Sequence, residues 1–157
     1  MKLQKQKISN GVKKNDFEQL IRGAISALPV HGRQAMDNVA FVVEREVRRP
    51  PSLRLRRAGK KAKEVNINMI KMNEVLLGLY EGIPKTERGS NYFGVLPDKI
   101  TIFQQPIEEL AGGDEKKLKK LIYEVVWHEV GHHLGFDEKE IRALEAKKRK
   151  NKNHTLC

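Results

Sequence analysis

Residues 114–135 constrain this chain more than any other stretch. Asp114 is a helix N-cap residue and Gly135 a helix stop. Between them Leu118, Ile122, Val125, Glu129 and His132 recur at helical spacing on one stripe. The segment reads as one long helix whose apolar face must be buried against another layer. The C-terminal end of that stripe is polar: His128-Glu129-Val130-Gly131-His132 puts two imidazoles and a carboxylate on it. At i and i+4 the histidines lie one turn apart on one face, so both rings reach a single cation.

What that helix packs against is legible upstream. Apolar residues at Phe17, Leu20, Ile21, Ala24, Ile25 and Leu28 form one helical face that starts near Asn15-Asp16 and stops at Pro29. A further turn or two of helix is expected over Gly32–Met36. Three segments read as strands: Val39–Val43, Val75–Tyr80 and Lys99–Phe103. Val65, Ile67 and Met69 alternate with asparagines and suggest a fourth, weaker one. Pro106 fits the first position of a short helix over Ile107–Leu110. Strands followed by helices indicate an α+β domain, and 157 residues suffice for one such domain.

The net charge of +11 is unevenly distributed. Residues 1–14, 48–63 and 147–157 carry 18 of the 31 Lys and Arg side chains and no acid, leaving 13 basic against 20 acidic groups elsewhere. The expected organisation is a basic N-terminal tail (1–14), an α+β domain (15–146) with a basic insertion (48–63), and a basic C-terminal tail (147–157). Like-charge blocks repel themselves and stay solvated; their sharper use is contact with a polyanion through 48–63 and 147–157. No aromatic residue stands in any of the three to stack on a base. No apolar run approaches the ~20 residues of a membrane span, and the opening residues lack the apolar core of a secretory signal. Cys157 is the single cysteine, which excludes a disulfide framework and a thiolate zinc finger and points to the cytoplasm.

The natural guest of the two histidines is Zn²⁺, since imidazole suits it and no thiolate is nearby. Glu129 adjoins the first histidine on the inward stripe, placed to take a proton from water at the metal. A third ligand is needed, and the acids that follow are Asp137, Glu138, Glu140 and Glu145. Gly135 can turn the chain back in the left-handed conformation. Asp137 with Glu140 three residues on reads as a capping box opening a last helix, Glu138–Lys148. With Asp137 used as a cap, Glu138 is the expected third ligand and Asp137 the alternative. The competing role for Glu138 is a first-turn acid on the helix dipole. His133 points about 100° away from His132 and is expected to pack or support.

HEVGHHLGFDEKEI at 128–141 resembles the HExxHHxGxxD signature of the short bacterial possible zinc metallopeptidases, the minimal zincins. LLGLYEG at 76–82, PKTER at 84–88 and LPDKITIFQQPIE at 96–108 are similar to that family's stretches upstream of the motif. So are FEQLIRGAISALP at 17–29 and DNVAFVVE at 37–44. The resemblance implies a small α+β zincin-like fold: a twisted sheet of three or four strands under the motif helix. It also implies His128 and His132 as metal ligands, Glu129 as catalytic acid/base, and position 138 as third ligand. The family commonly has Asp there; this chain has Glu, one methylene longer.

The expected function is a zinc-dependent metallopeptidase acting on a peptide or protein, with Glu129 as general base. The substrate would add to a sheet edge, taken to be Val75–Tyr80. One alternative is a metal-dependent RNA hydrolase: HEVGHHLGFDE also resembles the HxxxHxxxxxH metal motif of rRNA-maturation endoribonucleases, with Glu138 at the third position. Those proteins lack the glutamate that Glu129 supplies. The other alternative is a non-catalytic, zinc-stabilised module that binds nucleic acid or an acidic partner.

Overall fold

A computed structural model describes residues 11–47, 68–72 and 75–154. The basic segment 48–63, the strand residues Val65 and Ile67, residues 1–10 and residues 155–157 lie outside the described residues. In chain order the elements are α1 (Lys14–Ser26), α2 (Val30–Gln34), β1 (Val39–Glu44), β2 (Asn68–Met72) and β3 (Val75–Glu81). A short 3₁₀ turn (Lys85–Glu87) is followed by β4 (Asp98–Phe103), α3 (Gln104–Ala111), α4 (Glu115–Leu134) and α5 (Glu138–His154).

The four strands form one mixed sheet in the order β1-β4-β3-β2. β4 runs parallel to β1, with Val39 opposite Asp98 and Glu44 opposite Phe103, and antiparallel to β3, with Gly78 opposite Ile102. β2 pairs antiparallel to β3 with a register shift between Met69 and Lys71. β3 is therefore internal, flanked by β2 and β4, and is not the substrate-accepting edge expected from sequence. Its apolar run, buried from Leu76 through Tyr80, is what a strand covered on both faces requires.

The main core lies between one face of this sheet and helices α1, α3 and α4. Phe17, Ile21 and Leu28 of α1 meet Ile100 and Ile102 of the sheet, with Leu118, Ile122, Val125 and Val126 of α4. Burying each large apolar side chain contributes roughly 1.5–3 kcal/mol, so this layer fixes where α4 sits. Two details differ from the sequence reading. α3 begins at Gln104, directly after β4, so Pro106 is its third residue rather than its first. Proline is tolerated there because the first-turn amides have no intrahelical acceptor anyway. α5 continues through Lys148 to His154, and Lys148 Nζ lies 2.6 Å from the Tyr123 hydroxyl and 5.4 Å from the Trp127 ring centre, tying this basic stretch to α4.

Candidate metal centre

The centre is built at the C-terminal end of α4 and the first turn of α5. α4 starts as its sequence requires: the Asp114 carboxylate accepts from the Lys116 and Lys117 amides at 2.9 and 3.1 Å. It ends in a Schellman turn, in which Phe136 N donates to Gly131 O and Gly135 N to His132 O, both at 3.0 Å. Gly135 has φ of 102°, and a methyl group on it would lie 2.2 Å from Thr86 Oγ1. Only glycine meets both conditions.

Asp137 then closes the expected capping box. Its Oδ1 accepts from Glu140 N at 2.7 Å while Glu140 Oε2 accepts from Asp137 N at 2.8 Å. The Asp137 carboxylate is thus occupied at the start of α5, and the bend carries Glu138 back over the end of α4. Ile141, fully buried, packs on Gly131, where a methyl group would come within 3.0 Å of Ile141 Cδ1.

The outcome is a cluster of three candidate donors: one ligand atom each from His128, His132 and Glu138, all within 4.8 Å of one another. Glu138 Oε2 is 3.0 Å from His128 Nε2 and 3.4 Å from His132 Nε2. Zinc–nitrogen and zinc–oxygen bonds of about 2.0–2.1 Å give tetrahedral edges of about 3.3 Å, so these separations suit a zinc-sized ion. The far nitrogens are engaged. His132 Nδ1 lies 3.1 Å from Phe136 O, and His128 Nδ1 lies 3.1 Å from Glu145 Oε1. A carbonyl oxygen only accepts, so the His132 proton belongs on Nδ1 and the Nε2 lone pair faces inward. That Nε2 is buried and has no hydrogen-bond partner among the described residues. A buried acceptor left alone is costly, and a cation at this point would satisfy it.

Electrostatics agree. Burial and the nearby His128 lower the basicity of His132, outweighing the Phe136 and Glu138 contacts that favour its charged form. Partial burial pushes the Glu138 carboxyl up, but Arg142 and His128 outweigh this and leave it below the usual range. Arg142 Nε donates to the other Glu138 oxygen, Oε1, at 2.8 Å. Glu138 thereby presents Oε2 to the histidines.

Glu129 is fully buried on the sheet-facing side of α4, and neither carboxylate oxygen has a hydrogen-bond partner among the described residues. Burial, reinforced by the Glu138 charge, raises its pKa well above the ordinary carboxylate value, with the Tyr80 backbone acting against. Its room comes from Gly78 of β3: a methyl group there would be 2.8 Å from both Glu129 Oε1 and Val125 Cγ1.

Sequence reasoning missed a second polar cluster. Asp98, at the start of β4 and 3% exposed, accepts from Tyr80 Oη at 2.8 Å and Tyr92 Oη at 3.2 Å and is paired with Arg88. Its Oδ2 also lies 2.8 Å from His133 Nδ1, while His133 Nε2 lies 2.8 Å from Ala35 O. Both ring nitrogens thus face oxygens supplied by other elements of the fold. The supporting role expected of His133 has this network as its content. No local signal marks Asp98, because its partners are scattered over residues 80–133.

A family model for zincin-like metallopeptidases matches residues 36–148, which include every residue of the His128–Glu138 cluster. The chain belongs to the zincin-like metallopeptidase family. No curated protein matches it. For a zincin-like protein the architecture is as expected: α+β, with the HExxH helix packed on a mixed sheet. The family implies a bound metal, and the donor set above fits one. The match gives no support to a polyanion contact through the basic segments. Among the described residues no helix is long and apolar enough to cross a membrane.

Proposed function

We propose that this zincin-like protein is a zinc-dependent peptidase in which His128, His132 and Glu138 hold the metal and Glu129 is the general base. The observation that carries the reading is the inward-facing, unpartnered Nε2 of His132 beside Nε2 of His128 and Oε2 of Glu138. When bound, zinc supplies Lewis acidity, making water acidic near neutral pH and polarising a carbonyl. The chain's own residues do the rest. Glu145 and the Phe136 carbonyl fix the tautomers of His128 and His132, and Arg142 holds Glu138 with one oxygen toward them. Glu129, one residue from His128 and with neither oxygen hydrogen-bonded among the described residues, takes a proton from the attacking water. It then hands that proton to the leaving amine. Gly78 keeps the space in which its carboxylate sits.

The test pairs metal analysis with hydrolysis of denatured casein, read as new α-amino groups. Wild type is expected to hold one zinc per chain and to open peptide bonds. Glu129→Gln is expected to keep the zinc and lose at least about 10²-fold in rate. Full activity in that variant refutes the mechanism, and zinc uptake without hydrolysis in wild type refutes the peptidase.

A further inference from the structure

Asp98 is a buried carboxylate with four donor partners, and the function proposed above uses none of them. Burying a charge is expensive unless it is paired and hydrogen-bonded, and a half-satisfied network is worse than apolar packing. The β-ladders already join β4 to its neighbours, so the cluster's distinctive connection is elsewhere. Its donors come from the end of β3 (Tyr80), the loop beyond it (Arg88, Tyr92) and α4 (His133). His133 directly follows His132.

The His133 ring is held at both ends by oxygens from different elements: Asp98 Oδ2 on β4 and Ala35 O after α2, each at 2.8 Å. Tyr80 packs edge-on against it, with ring centres 5.7 Å apart. Two bonds on a planar, fully buried ring fix its torsions, and with them the rotation of this turn of α4 about the helix axis. The consequence is quantitative. A histidine nitrogen about 6 Å from the axis moves about 1 Å for a 10° rotation, whereas metal–ligand distances tolerate only about 0.2 Å.

We propose that Asp98 and His133 are positioning residues for the metal centre: their contact, backed by Arg88 and the Ala35 carbonyl, sets the rotation of α4 and aims His128 and His132 at Glu138. The inference rests on the metal reading above. It assigns the loop carrying Arg88 and Tyr92 a part in the geometry of a site it does not enter.

The test measures zinc affinity by competition with a chromophoric chelator, and ligand geometry from the visible bands of the cobalt(II)-loaded protein. Asp98→Asn keeps the shape but removes the charge. It is expected to weaken zinc binding about 10–100-fold and to shift the cobalt bands. Ile107→Val, which lightens the core on α3, is expected to change neither. If Asp98→Asn does not fold, the decision falls to His133. His133→Asn retains an N–H near the Nδ1 position and is expected to recover most of the affinity that His133→Ala loses. Wild-type affinity and bands in Asp98→Asn, or equal behaviour of the two His133 variants, overturns the inference while one zinc per wild-type chain upholds the metal site. A wild-type chain that takes up no zinc overturns the metal reading, and this inference with it.

Discussion

Replacing Gly78 by alanine tests whether the space under the motif helix is there for Glu129. The new methyl carbon would lie 2.8 Å from Glu129 Oε1 and 2.8 Å from Val125 Cγ1. Comfortable carbon contacts are about 3.5–4.0 Å, so each falls short by about 0.7 Å or more. Val125 is β-branched on a helix and has one good rotamer, so it cannot swing aside. Glu129 is unbranched and can. The carboxylate is therefore what moves, by about 1 Å, and a misplacement of that size costs about 10²-fold in rate.

Overpacking of this kind costs about 1–3 kcal/mol, and replacing a strand glycine returns up to about 1 kcal/mol. The net loss of about 1–2 kcal/mol corresponds to a thermal midpoint lower by about 2–8 °C at this chain length. His128, His132 and Glu138 do not touch the new methyl, so zinc stoichiometry should hold. The decisive assay is a double-mutant cycle by calorimetry. Val125→Ala removes Cγ1 and should relieve part of the clash, giving a coupling of at least about 0.5 kcal/mol with Gly78→Ala. Additivity within about 0.3 kcal/mol, together with an unchanged midpoint in the single Gly78→Ala variant, refutes the packing argument.

Three further outcomes are expected. Zinc at a hundred times its dissociation constant should stabilise the protein by about 2.7 kcal/mol, raising the midpoint by about 5–10 °C in a melt, and a chelator should reverse this. Glu145→Gln keeps the shape but loses the charged contact to His128 Nδ1 at 3.1 Å; chelator competition should show zinc bound about tenfold more weakly, and unchanged affinity would remove Glu145 from the site. The Tyr80 phenol is pushed up from 10.0, first by burial and then by its bond to Asp98. Its folded-state value is raised, so the stability it contributes is complete below pH 10 and is lost as the pH climbs further. Absorbance titration of the native protein should therefore leave at least one of the three tyrosines unionised until the chain unfolds.

What was legible in the sequence is what is coded locally. The stripe on α4, the Asp114 cap, the Gly135 stop and the Asp137–Glu140 box each depend on residues within a turn or two, and each is where its spacing placed it. The same logic, with Asp137 assigned to the cap, singled out Glu138, whose Oε2 lies beside the two histidines. One misreading and one omission had signals that went unused. The buried Leu76–Tyr80 run pointed to an internal strand rather than an edge. Glu138 and Glu145, seven residues apart on α5, lie two turns apart on one face, a spacing that puts both on His128. The Asp98 cluster is different in kind. Residues 80, 88, 92, 98 and 133 meet only because the sheet and α4 are already assembled, and no window of sequence contains that information.

The same distinction explains how the candidate metal centre is held. Besides the contacts of Glu138 and Glu145 with His128, α5 is held against α4 by Ile141 on Gly131 and by Lys148 against Tyr123 and Trp127, none of these five a candidate ligand. Apolar and cation–π packing thus brings Glu138 to the histidines. His128 and Arg142 partner the Glu138 carboxylate there, but two buried groups nearby are left without a hydrogen bond among the described residues. Glu129 is buried with no hydrogen-bond partner among the described residues, its ionisation is opposed by Glu138, and His132 Nε2 is an acceptor facing a second acceptor at 3.4 Å. A divalent cation relieves all three at once, because it attracts both carboxylates and accepts the lone pair. Ile141→Ala, which loosens α5 without touching a candidate ligand, is therefore expected to let Glu138 retreat and to weaken zinc binding in chelator competition, and wild-type affinity in that variant would refute this.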